Sequence, residues 1–364
     1  MSVIIDKNID RLSQGKFVEL TDILVELPRN ISIIDQLGLF EEKFVTQKKI
    51  EIQRTQYSNH LIKDKNWEAK AETLVVKPKR GFIQVSIPNF ETQDAIKPQD
   101  VDGVAQVSSI QEAAQLETVM NVRMEKLAYH KNAFDLTADV AKMQLIMKGT
   151  VYAPSGALAT SYGDTVDFYE EMGVTRQTYD IKLVGSADPR ISCSKVVRAM
   201  REALRNANGG NYGRIVVLCG SDFFDALYTN PFVTEAIKYF AQDLNKLLLK
   251  TPDTAQGLDA NFRTIEVWGL TFIDAGTGGY EDAAGVFQPW IEADKAVAIP
   301  TNVRGMFKTY YAPANTFSAI NKTAQGSYYF EKLNEEDDLI QMKIGSNFMN
   351  ACIYPGAIFD ITFS

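Results

Sequence analysis

The clearest periodic feature of the chain is an apolar repeat between residues 104 and 148. Apolar side chains recur there at steps of three, four or seven positions, and Arg123 and Lys126 fall on other faces, as in an amphipathic helix. The apolar positions are Ile110, Ala113, Leu116, Met120, Met124, Leu127 and Phe134. Lys148 and Gly149 then supply residue types that commonly end a helix. The pattern predicts one helix of about 40 residues, which is long for a globular protein.

Residues 43–88 show a different pattern, in which two alternating segments enclose a polar stretch that contains Trp67. Segments 48–54 and 81–87 alternate polar with apolar or branched side chains, as half-buried β-strands do. The pattern predicts a long hairpin. Because a two-stranded ribbon is marginally stable by itself and this one has few apolar residues to bury, we expect it to rest on a partner surface. A solvated basic hairpin is the alternative.

The rest of the chain predicts short helices and strands. Asp188 and Pro189 are typical of a helix start, segment 214–219 is apolar enough for a buried strand, and Ser221 is expected to cap the next helix. Further predicted elements are helices over 189–206 and 231–249 and strands over 264–268, 270–274, 296–299, 327–330, 339–344 and 358–363.

The N-terminal region, residues 1–42, has only two short apolar segments, 20–27 and 31–40. Neither is long enough to form a stable helix alone in water. We expect the region either to pack on a domain or to cross a neighbouring molecule as an arm.

Composition adds a strong charge asymmetry to this picture. The chain has 364 residues, 45% hydrophobic and 23% charged, which is ordinary for a globular protein of two or three packed units. Its formal charge is -8, so the protein as a whole is not built to bind phosphates tightly. Residues 43–80 hold ten Lys or Arg and four Asp or Glu, which gives this segment +6 and the remainder -14.

Few residues are available for catalysis or metal binding. Three cysteines and two histidines do not form a disulfide framework or a zinc-binding spacing, and they fit a reducing compartment. The sequence has no phosphate-binding GxxxxGK[ST] motif, and the Gly276-x-Gly278 pair lacks the third glycine of a dinucleotide site. No apolar run approaches the ~20 residues that a membrane helix needs. At the start of the sequence, charged residues lie where a signal peptide would have its apolar stretch. We expect a soluble cytosolic product without cofactors.

Two weaker candidates for chemistry remain. Cys219 lies at a predicted strand-to-helix turn, but a nucleophile needs a positioned base, and no histidine is near it in sequence. Adjacent carboxylates at 170–171 and 335–338 are more typical of solvated loops. We therefore predict no catalytic, metal-binding or cofactor-binding residues and a protein that is not an enzyme.

Several further features occur in the order of a known family. They are the N-terminal segment Leu20-Thr21-Asp22-Ile23…Leu27-Pro28…Leu37-Gly38-Leu39-Phe40…Thr46, the helix end Ile146-Met147-Lys148-Gly149-Thr150-Val151-Tyr152, the triplet Val303-Arg304-Gly305 and the final strands over 350–363. Over nearly the whole chain this order resembles the lambda-type major capsid proteins, the capsid protein E family of tailed phages. The stretch 59–72 is longer and more polar than the family pattern.

The resemblance implies an α+β fold of the Hong Kong 97-like phage capsid type. Its parts, mapped on this sequence, are an N-terminal arm at 1–42, an E-loop hairpin at 43–88, a P domain at 89–180 with a spine helix at about 104–148, a mixed α/β A domain at 181–300 and return strands at 301–364 that complete the P and A domains.

The resemblance also implies a function. The protein would be the major capsid protein of a tailed bacteriophage, self-assembling into hexamers and pentamers of an icosahedral shell around double-stranded DNA. Implied partners are further copies of the chain and portal, scaffolding and decoration proteins, with no membrane and no sequence-specific DNA binding. The location would be the virion, after assembly in the host cytoplasm. Alternatives are another self-assembling phage protein of the tail or baseplate, or an α/β enzyme.

The charge pattern indicates where copies would meet. A basic hairpin on an otherwise acidic protein suits a subunit that reaches over an acidic neighbour, and such heterologous contacts build rings. The expected contact residues on the hairpin are Lys48, Lys49, Arg54, Trp67, Lys77, Lys79 and Arg80. The expected acidic partners, in the run 331–338, are Glu331, Glu335, Glu336, Asp337 and Asp338.

Overall fold

The computed structural model has a mixed α/β architecture. It describes residues 18–19, 33–56, 79–101, 111–153, 166–184, 188–205, 211–240, 263–276, 278–281, 285–317, 319, 321–334 and 339–364. The described helices are α1 (Ile33–Gln36), α2 (Pro98–Val101), α3 (Gln111–Lys148), α4 (Phe168–Glu171), α5 (Arg190–Leu204), α6 (Ser221–Thr229) and α7 (Pro231–Phe240). The described strands are β1 (Val18–Glu19), β2 (Phe40–Phe44), β3 (Lys49–Gln56), β4 (Lys79–Ser86), β5 (Phe90–Ile96), β6 (Gln177–Ile181), β7 (Ile215–Cys219), β8 (Thr264–Val267), β9 (Leu270–Asp274), β10 (Gly279–Glu281), β11 (Phe287–Pro289), β12 (Ala296–Pro300), β13 (Phe307–Tyr311), β14 (Tyr328–Asn334), β15 (Leu339–Ser346), β16 (Phe348–Cys352) and β17 (Phe359–Phe363).

A six-stranded sheet in the order β6-β17-β12-β7-β9-β8 forms the larger α/β unit. Every residue of β7 and β12 is buried, as expected for strands covered on both faces. Helix α5 packs on β6, α6 on β9 and α7 on β8. Trp268 and Gly269, with φ of 49° and 81°, form the tight turn between β8 and β9. The predicted strands and helices of this region are confirmed where the structure describes them, except that α5 begins one residue later than predicted: Pro189, not Asp188, is at the N-cap position, and Arg190 is the first helical residue.

The start of α6 differs from the prediction. The helix begins at Ser221, but the capping position is Gly220, and no side chain caps the helix. A Cβ atom at position 220 would lie 2.1 Å from the carbonyl oxygen of Glu292. Only glycine therefore fits at position 220. Because Gly220 and not Ser221 occupies the capping position, the prediction that Ser221 caps the helix is wrong.

The long helix α3 is continuous from Gln111 to Lys148, and the predicted stop at Gly149 is confirmed. Gly149 has φ +75°, and a Cβ atom there would lie 2.3 Å from the ring of Tyr169. Arg176 Nη1 donates to the carbonyl oxygens of Ile146 at 2.9 Å and Met147 at 2.6 Å. The last turn of the helix is therefore capped by a side chain distant in sequence. The predicted helix start, 104–110, lies outside the described residues.

A four-stranded sheet in the order β1-β14-β15-β5 packs against the middle of α3. A separate small core joins them, made of Ile96, Leu127, Tyr329, Met342 and Ile344. Leu127 of α3 and Tyr329 of β14 are both fully buried in it. The apolar repeat that predicts the helix therefore also marks one face that the sheet covers.

The second half of the N-terminal region packs on the body of the subunit. Ile33 and Ile34 of α1 are buried in the main core, and β2 pairs in parallel with β13 in the sheet β16-β13-β2. Lys142 of α3 forms an ion pair with Asp35. Of the two alternatives for this region, packing on a domain therefore describes 33–44; the segment 20–27 lies outside the described residues.

The predicted hairpin is confirmed as the antiparallel pair β3–β4, in the register from Lys49 opposite Ser86 to Gln56 opposite Lys79. Its base is supported by its own subunit, because Ile52 and Val85 belong to the main core. The branched residues of both strands meet near the base, where the subunit covers them. Support of the remainder of the ribbon by a partner surface stays a prediction. Segment 57–78 lies outside the described residues.

Candidate functional site

The hairpin gathers several of the predicted contact residues on one ribbon. Arg54 lies opposite Gly81 and Arg80 opposite Thr55, one position from Lys79. Their strands pair without interruption from the base of the hairpin outward, which brings basic positions distant in sequence to neighbouring places in the ladder. The sequence prediction of a basic ribbon is therefore matched by the strand register.

At the base of the hairpin, Lys48 and Lys49 are both exposed. Lys48 Nζ donates to Asn315 Oδ1 at 2.6 Å, which ties the hairpin base to the loop between β13 and β14. Trp67 and Lys77, and the acidic residues Glu335, Glu336, Asp337 and Asp338, lie outside the described residues.

Glu331 does not lie where the sequence predicts. Its side chain is fully buried, and Arg123 Nε of α3 lies 2.8 Å from its Oε1. The hydroxyl of Tyr329 donates to the same carboxylate oxygen. Burial raises the pKa of Glu331 despite the opposing charge of Arg123. Glu331 is therefore an internal ion-pair residue and is not available to contact another copy.

A second charged group fixes α3 to β5. Lys126 Nζ donates to the Ala95 carbonyl oxygen at 2.6 Å and to Asp100 Oδ2 at 3.0 Å, and His130 Nε2 lies 3.0 Å from Asp94 Oδ2. Burial acts to raise the pKa of Asp94, but its hydrogen bonds with His130 and with the Ala95 backbone N–H lower that pKa overall. The sequence pattern places Lys126 off the apolar face but does not reveal this partner set, because the carboxylates come from segments outside the helix.

The strand-to-helix turn after β7 does not provide an activated nucleophile. Cys219 is fully buried, and burial raises the pKa of its thiol well above the ordinary value. A thiol held in the protonated form reacts poorly. The hydroxyl of Ser221 lies 3.4 Å from Asp222 Oδ1. Among the described residues, no group of three or more His, Cys, Asp or Glu is placed to hold a metal ion.

The buried carboxylate nearest to this turn has a structural partner. Asp274 ends β9 and is 1% exposed, and Arg263 Nη2 lies 2.6 Å from its Oδ2. The Gly276 backbone N–H donates to the other carboxylate oxygen at 3.1 Å, and the Arg263 guanidinium lies over the Phe224 ring. Both oxygens of Asp274 are thus used to hold the end of the sheet together.

Three exposed apolar side chains lie on neighbouring segments of the α/β unit. Asn230 Nδ2 donates to the Leu183 carbonyl oxygen at 3.0 Å, and the Arg190 guanidinium lies over the Phe232 ring, so Leu183 and Arg190 both adjoin the segment 228–232. The corner patch, as we call it, consists of Val184, Ile191 and Tyr228, which are 60%, 67% and 45% exposed. The patch could not be predicted from the sequence, because its members are separated along the chain.

A groove lies beside the C-terminal half of α3. It has a volume of about 530 Å³ and lies between α3, the β10–β11 ribbon and the edge of the six-stranded sheet. Met143 and Met147 line one side, and Tyr280 and Trp290 line another. In the part of the chain that the structure covers, no helix has the length and apolarity needed to cross a membrane.

Comparison with known proteins agrees with the resemblance found in the sequence. The sequence model of the family described as phage major capsid protein E matches residues 16–363. The major capsid protein of Pseudomonas phage KPP10 is 27% identical over 341 residues, which cover 93% of this chain and 94% of that protein. The major capsid protein of Salmonella phage Felix O1 is 24% identical over 364 residues, which cover 94% of this chain and 95% of that protein.

A solved structure shows a similar fold. A protein provisionally assigned as the capsid protein of a prophage in E. coli CFT073 aligns with 96% of this chain and 100% of its own, at a TM-score of 0.60. The two sequences are 12% identical, so this likeness concerns the fold alone. The predicted family is confirmed, and its structural character points away from an enzyme. The chain belongs to the phage major capsid protein E family.

Proposed function

We propose that this protein is the major capsid protein of a tailed phage and that its copies assemble as hexamers and pentamers of a closed icosahedral shell. The family assignment and the two curated relatives support this function. The observation that carries the assembly mechanism is the paired basic hairpin on an acidic body: residues 43–80 have a net charge of +6 on a chain of -8. Copies with such an uneven charge attract each other in one orientation and repel in others.

The proposed arrangement is of the Hong Kong 97-like type. The arm would comprise 1–42, of which residues 33–42 pack on their own subunit. The E-loop would comprise 43–88, the P domain 89–180 and the A domain 181–300, with 301–364 returning to complete the P and A domains. The continuous helix α3 beside the four-stranded sheet supports a P domain with a spine helix. The six-stranded sheet with α5, α6 and α7 supports a separate α/β A domain.

The hairpin would contact carboxylates of an adjacent copy. Its proposed contact residues are Lys48, Lys49, Arg54, Trp67, Lys77, Lys79 and Arg80, and the proposed acidic partners are Glu335, Glu336, Asp337 and Asp338. Glu331 is left out of this set because it is buried inside the subunit. Single exposed ion pairs contribute only about 0–1 kcal/mol, so these charges would select the register, while buried apolar area and multivalency would supply the affinity.

The shell would enclose double-stranded DNA without sequence-specific binding. The net charge of -8 suits such a container, because a strongly basic lining would hold the genome tightly and hinder its packing and release. Portal, scaffolding and decoration proteins would be its further partners, and the virion its location after assembly in the host cytoplasm.

Charge reversal at the hairpin tests its proposed role in assembly. The double variant Lys79→Glu/Arg80→Glu changes the hairpin segment from +6 to +2, because each reversal removes two charges. We expect a folded subunit that forms few or no shells in negative-stain electron microscopy. The matched variant Lys79→Arg/Arg80→Lys keeps the charge and should assemble normally.

The same microscopy distinguishes the function from its alternatives. Closed shells of wild-type protein support a capsid subunit, whereas tubes or rings of one cyclic symmetry would indicate a tail or baseplate protein. Normal shells from the charge-reversed variant would contradict the role of the hairpin while leaving the capsid function intact.

A further inference from the structure

Phe317 is the most exposed large apolar side chain of the described residues. It lies in the loop between β13 and β14 and is fully exposed, whereas the other exposed large apolar side chains keep part of their surface covered. Burying a phenylalanine is among the larger favourable contributions that one side chain can make. A phenylalanine held entirely in water therefore gains more from a partner than any other described residue of this surface.

The loop that carries Phe317 is held in place by its own subunit. Asn347 Nδ2 donates to the Pro313 carbonyl oxygen at 3.0 Å, and Lys48 Nζ of the hairpin base donates to Asn315 Oδ1 at 2.6 Å. Ala314, Ala319, Tyr328 and Phe330 form a small buried cluster along the loop and its exit strand. Because these contacts already hold Pro313 and Asn315, a partner that binds Phe317 spends less free energy on ordering this part of the chain.

The groove beside α3 has the size and chemistry to receive an aromatic side chain. Its volume of about 530 Å³ is within the range of small-molecule pockets. Charged side chains, among them Lys148, Glu292 and Asp360, line the groove beside the apolar ones. Met143 and Met147 offer flexible thioether side chains that contact aromatic rings favourably, and Tyr280 and Trp290 offer ring faces and edges.

The exposed phenylalanine and the groove are separate surfaces of one subunit. None of the residues that line the groove belongs to the loop between β13 and β14 or to the hairpin base. A contact between the two surfaces of different copies is therefore heterologous, and heterologous contacts produce closed rings when the rotation permits. The Lys48 hydrogen bond also makes the Phe317 loop continuous with the hairpin, which is already proposed to meet a neighbour.

We propose that Phe317 of one copy inserts into the groove between α3 and the β10–β11 ribbon of the next copy. This inference rests on the proposed function, because its partner is a second copy of the chain. The Phe317 contact would add an apolar anchor to the proposed hairpin interface, in which the charges select the register. The groove beside α3 would be the surface of the neighbour that receives this anchor.

Truncating the anchor is the first test. Phe317→Ala should weaken association between copies about tenfold to a hundredfold, the effect expected for losing one buried aromatic contact. Its thermal unfolding as an unassembled subunit should match the wild type, since the ring is fully exposed there. Phe317→Leu keeps an apolar side chain and should retain most of the particle yield. Equal yields from the alanine variant and the wild type would overturn the proposal.

Cysteine cross-linking tests the receiving surface. The three native cysteines are buried, so they should not form disulfides between copies. Any covalent oligomer can then be assigned to the introduced thiols. Shells of the Thr316→Cys/Lys148→Cys variant, which keeps the Phe317 anchor and places a thiol beside it and another in the groove lining, should give a ladder of covalent oligomers on a non-reducing gel after treatment with a mild oxidant, because each copy links to the next. Shells of either single variant should give no ladder.

The outcomes separate this inference from the proposed function. Shells that assemble normally but show no ladder would overturn the insertion of Phe317 into this groove and leave the capsid function standing. A wild-type protein that forms no shells under any assembly condition would overturn both.

Discussion

Glu331 carries an ionisable group at a position from which water is excluded. Glu331 lies in β14, and its side chain is fully buried. Arg123 of α3 and Tyr329 of β14 both contact one of its carboxylate oxygens. The other oxygen has no hydrogen-bond partner among the described residues. Removing a charge from water costs free energy that one good ion pair only partly returns. The pair therefore fixes the position of α3 on the sheet more than it stabilises the fold.

Removing one member of this pair should be far more harmful than removing both. Glu331→Leu leaves the Arg123 charge in a largely buried place and should lower the free energy of unfolding by about 3–5 kcal/mol. Arg123→Met/Glu331→Leu removes both charges and should lie within about 1 kcal/mol of the wild type or above it. Denaturant unfolding of the unassembled subunit measures this; additive losses in the double variant would contradict it.

The same variants provide a pH readout. Because the pKa of Glu331 is raised above 4.5, the folded subunit keeps a proton that the unfolded chain has already released. The free energy of unfolding of the wild type should therefore fall, relative to the double variant, as the pH rises from about 4.5 through the raised pKa. A difference between the two proteins that does not change over this window would argue against a buried, titrating Glu331.

The position of Glu331 could not be predicted from its neighbours in sequence. The segment 331–338 has five acidic residues, which is typical of a solvated loop. Glu331 is buried because strand alternation turns its side chain toward α3, where the distant residue Arg123 pairs with it. Neither cause is visible in the local composition. Lys126 shows the same limit, since the sequence places it on the polar side of α3 but gives no sign of its contacts with Asp100 and Ala95.

At the scale of elements, the end of α3 combines a local signal with a distant one. Gly149 follows a long apolar repeat, and the helix stop is predicted from this alone. Arg176 completes the end by binding the carbonyl oxygens of Ile146 and Met147, and Arg176 Nη2 also lies 2.5 Å from Asp360 Oδ1 of β17. The helix is thereby joined to the six-stranded sheet. Sequence periodicity predicts where an element ends, but not which distant side chain fixes that end.

Two glycines of this region allow a matched test. Gly149 and Gly173 both have positive φ, at +75° and +59°, but only Gly149 is crowded: a Cβ atom there meets the Tyr169 ring, whereas one at position 173 meets nothing within 4 Å. Gly173→Ala should cost about 1–2 kcal/mol from backbone conformation alone. Gly149→Ala should cost this amount plus the displacement of Tyr169, a further 1 kcal/mol or more by the usual cost of overpacking, about 1–3 kcal/mol.

Thermal or denaturant unfolding of the two variants measures the difference. Equal losses would show that the Tyr169 ring moves freely and does not hold the helix end. A larger loss for Gly173→Ala would contradict the assigned crowding altogether.

At the scale of the whole molecule, the sequence predicts one side of the proposed assembly surface and misses the other. The basic hairpin is visible because its charges are contiguous along the chain, with +6 in residues 43–80. The corner patch and the groove are not visible, because their residues come together only when β6, α5 and α6 take their places in the fold. Contiguous features are accessible to sequence reasoning, whereas surfaces built from separate segments require the tertiary structure.

The corner patch leads to a prediction about assembly as a whole. Val184, Ile191 and Tyr228 are exposed on neighbouring segments of the α/β unit, and exposed apolar groups on adjoining segments are typical of interaction sites. We expect this corner to be covered by a second copy in the shell. Ile191→Asp should then suppress shell formation at least about tenfold, because a buried, unpaired carboxylate is strongly unfavourable in a contact.

The matched control is Ala203→Asp, which adds the same charge at an exposed position near the other end of α5, away from Ile191. Both variants should unfold within about 0.5 kcal/mol of the wild type as isolated subunits, since both positions are on the surface. Particle yield by sedimentation and electron microscopy then separates them: a loss confined to Ile191→Asp places the corner patch in an interface. Equal yields from the two variants would leave the patch facing solvent in the shell, and assembly would depend on the hairpin and the Phe317 contact alone.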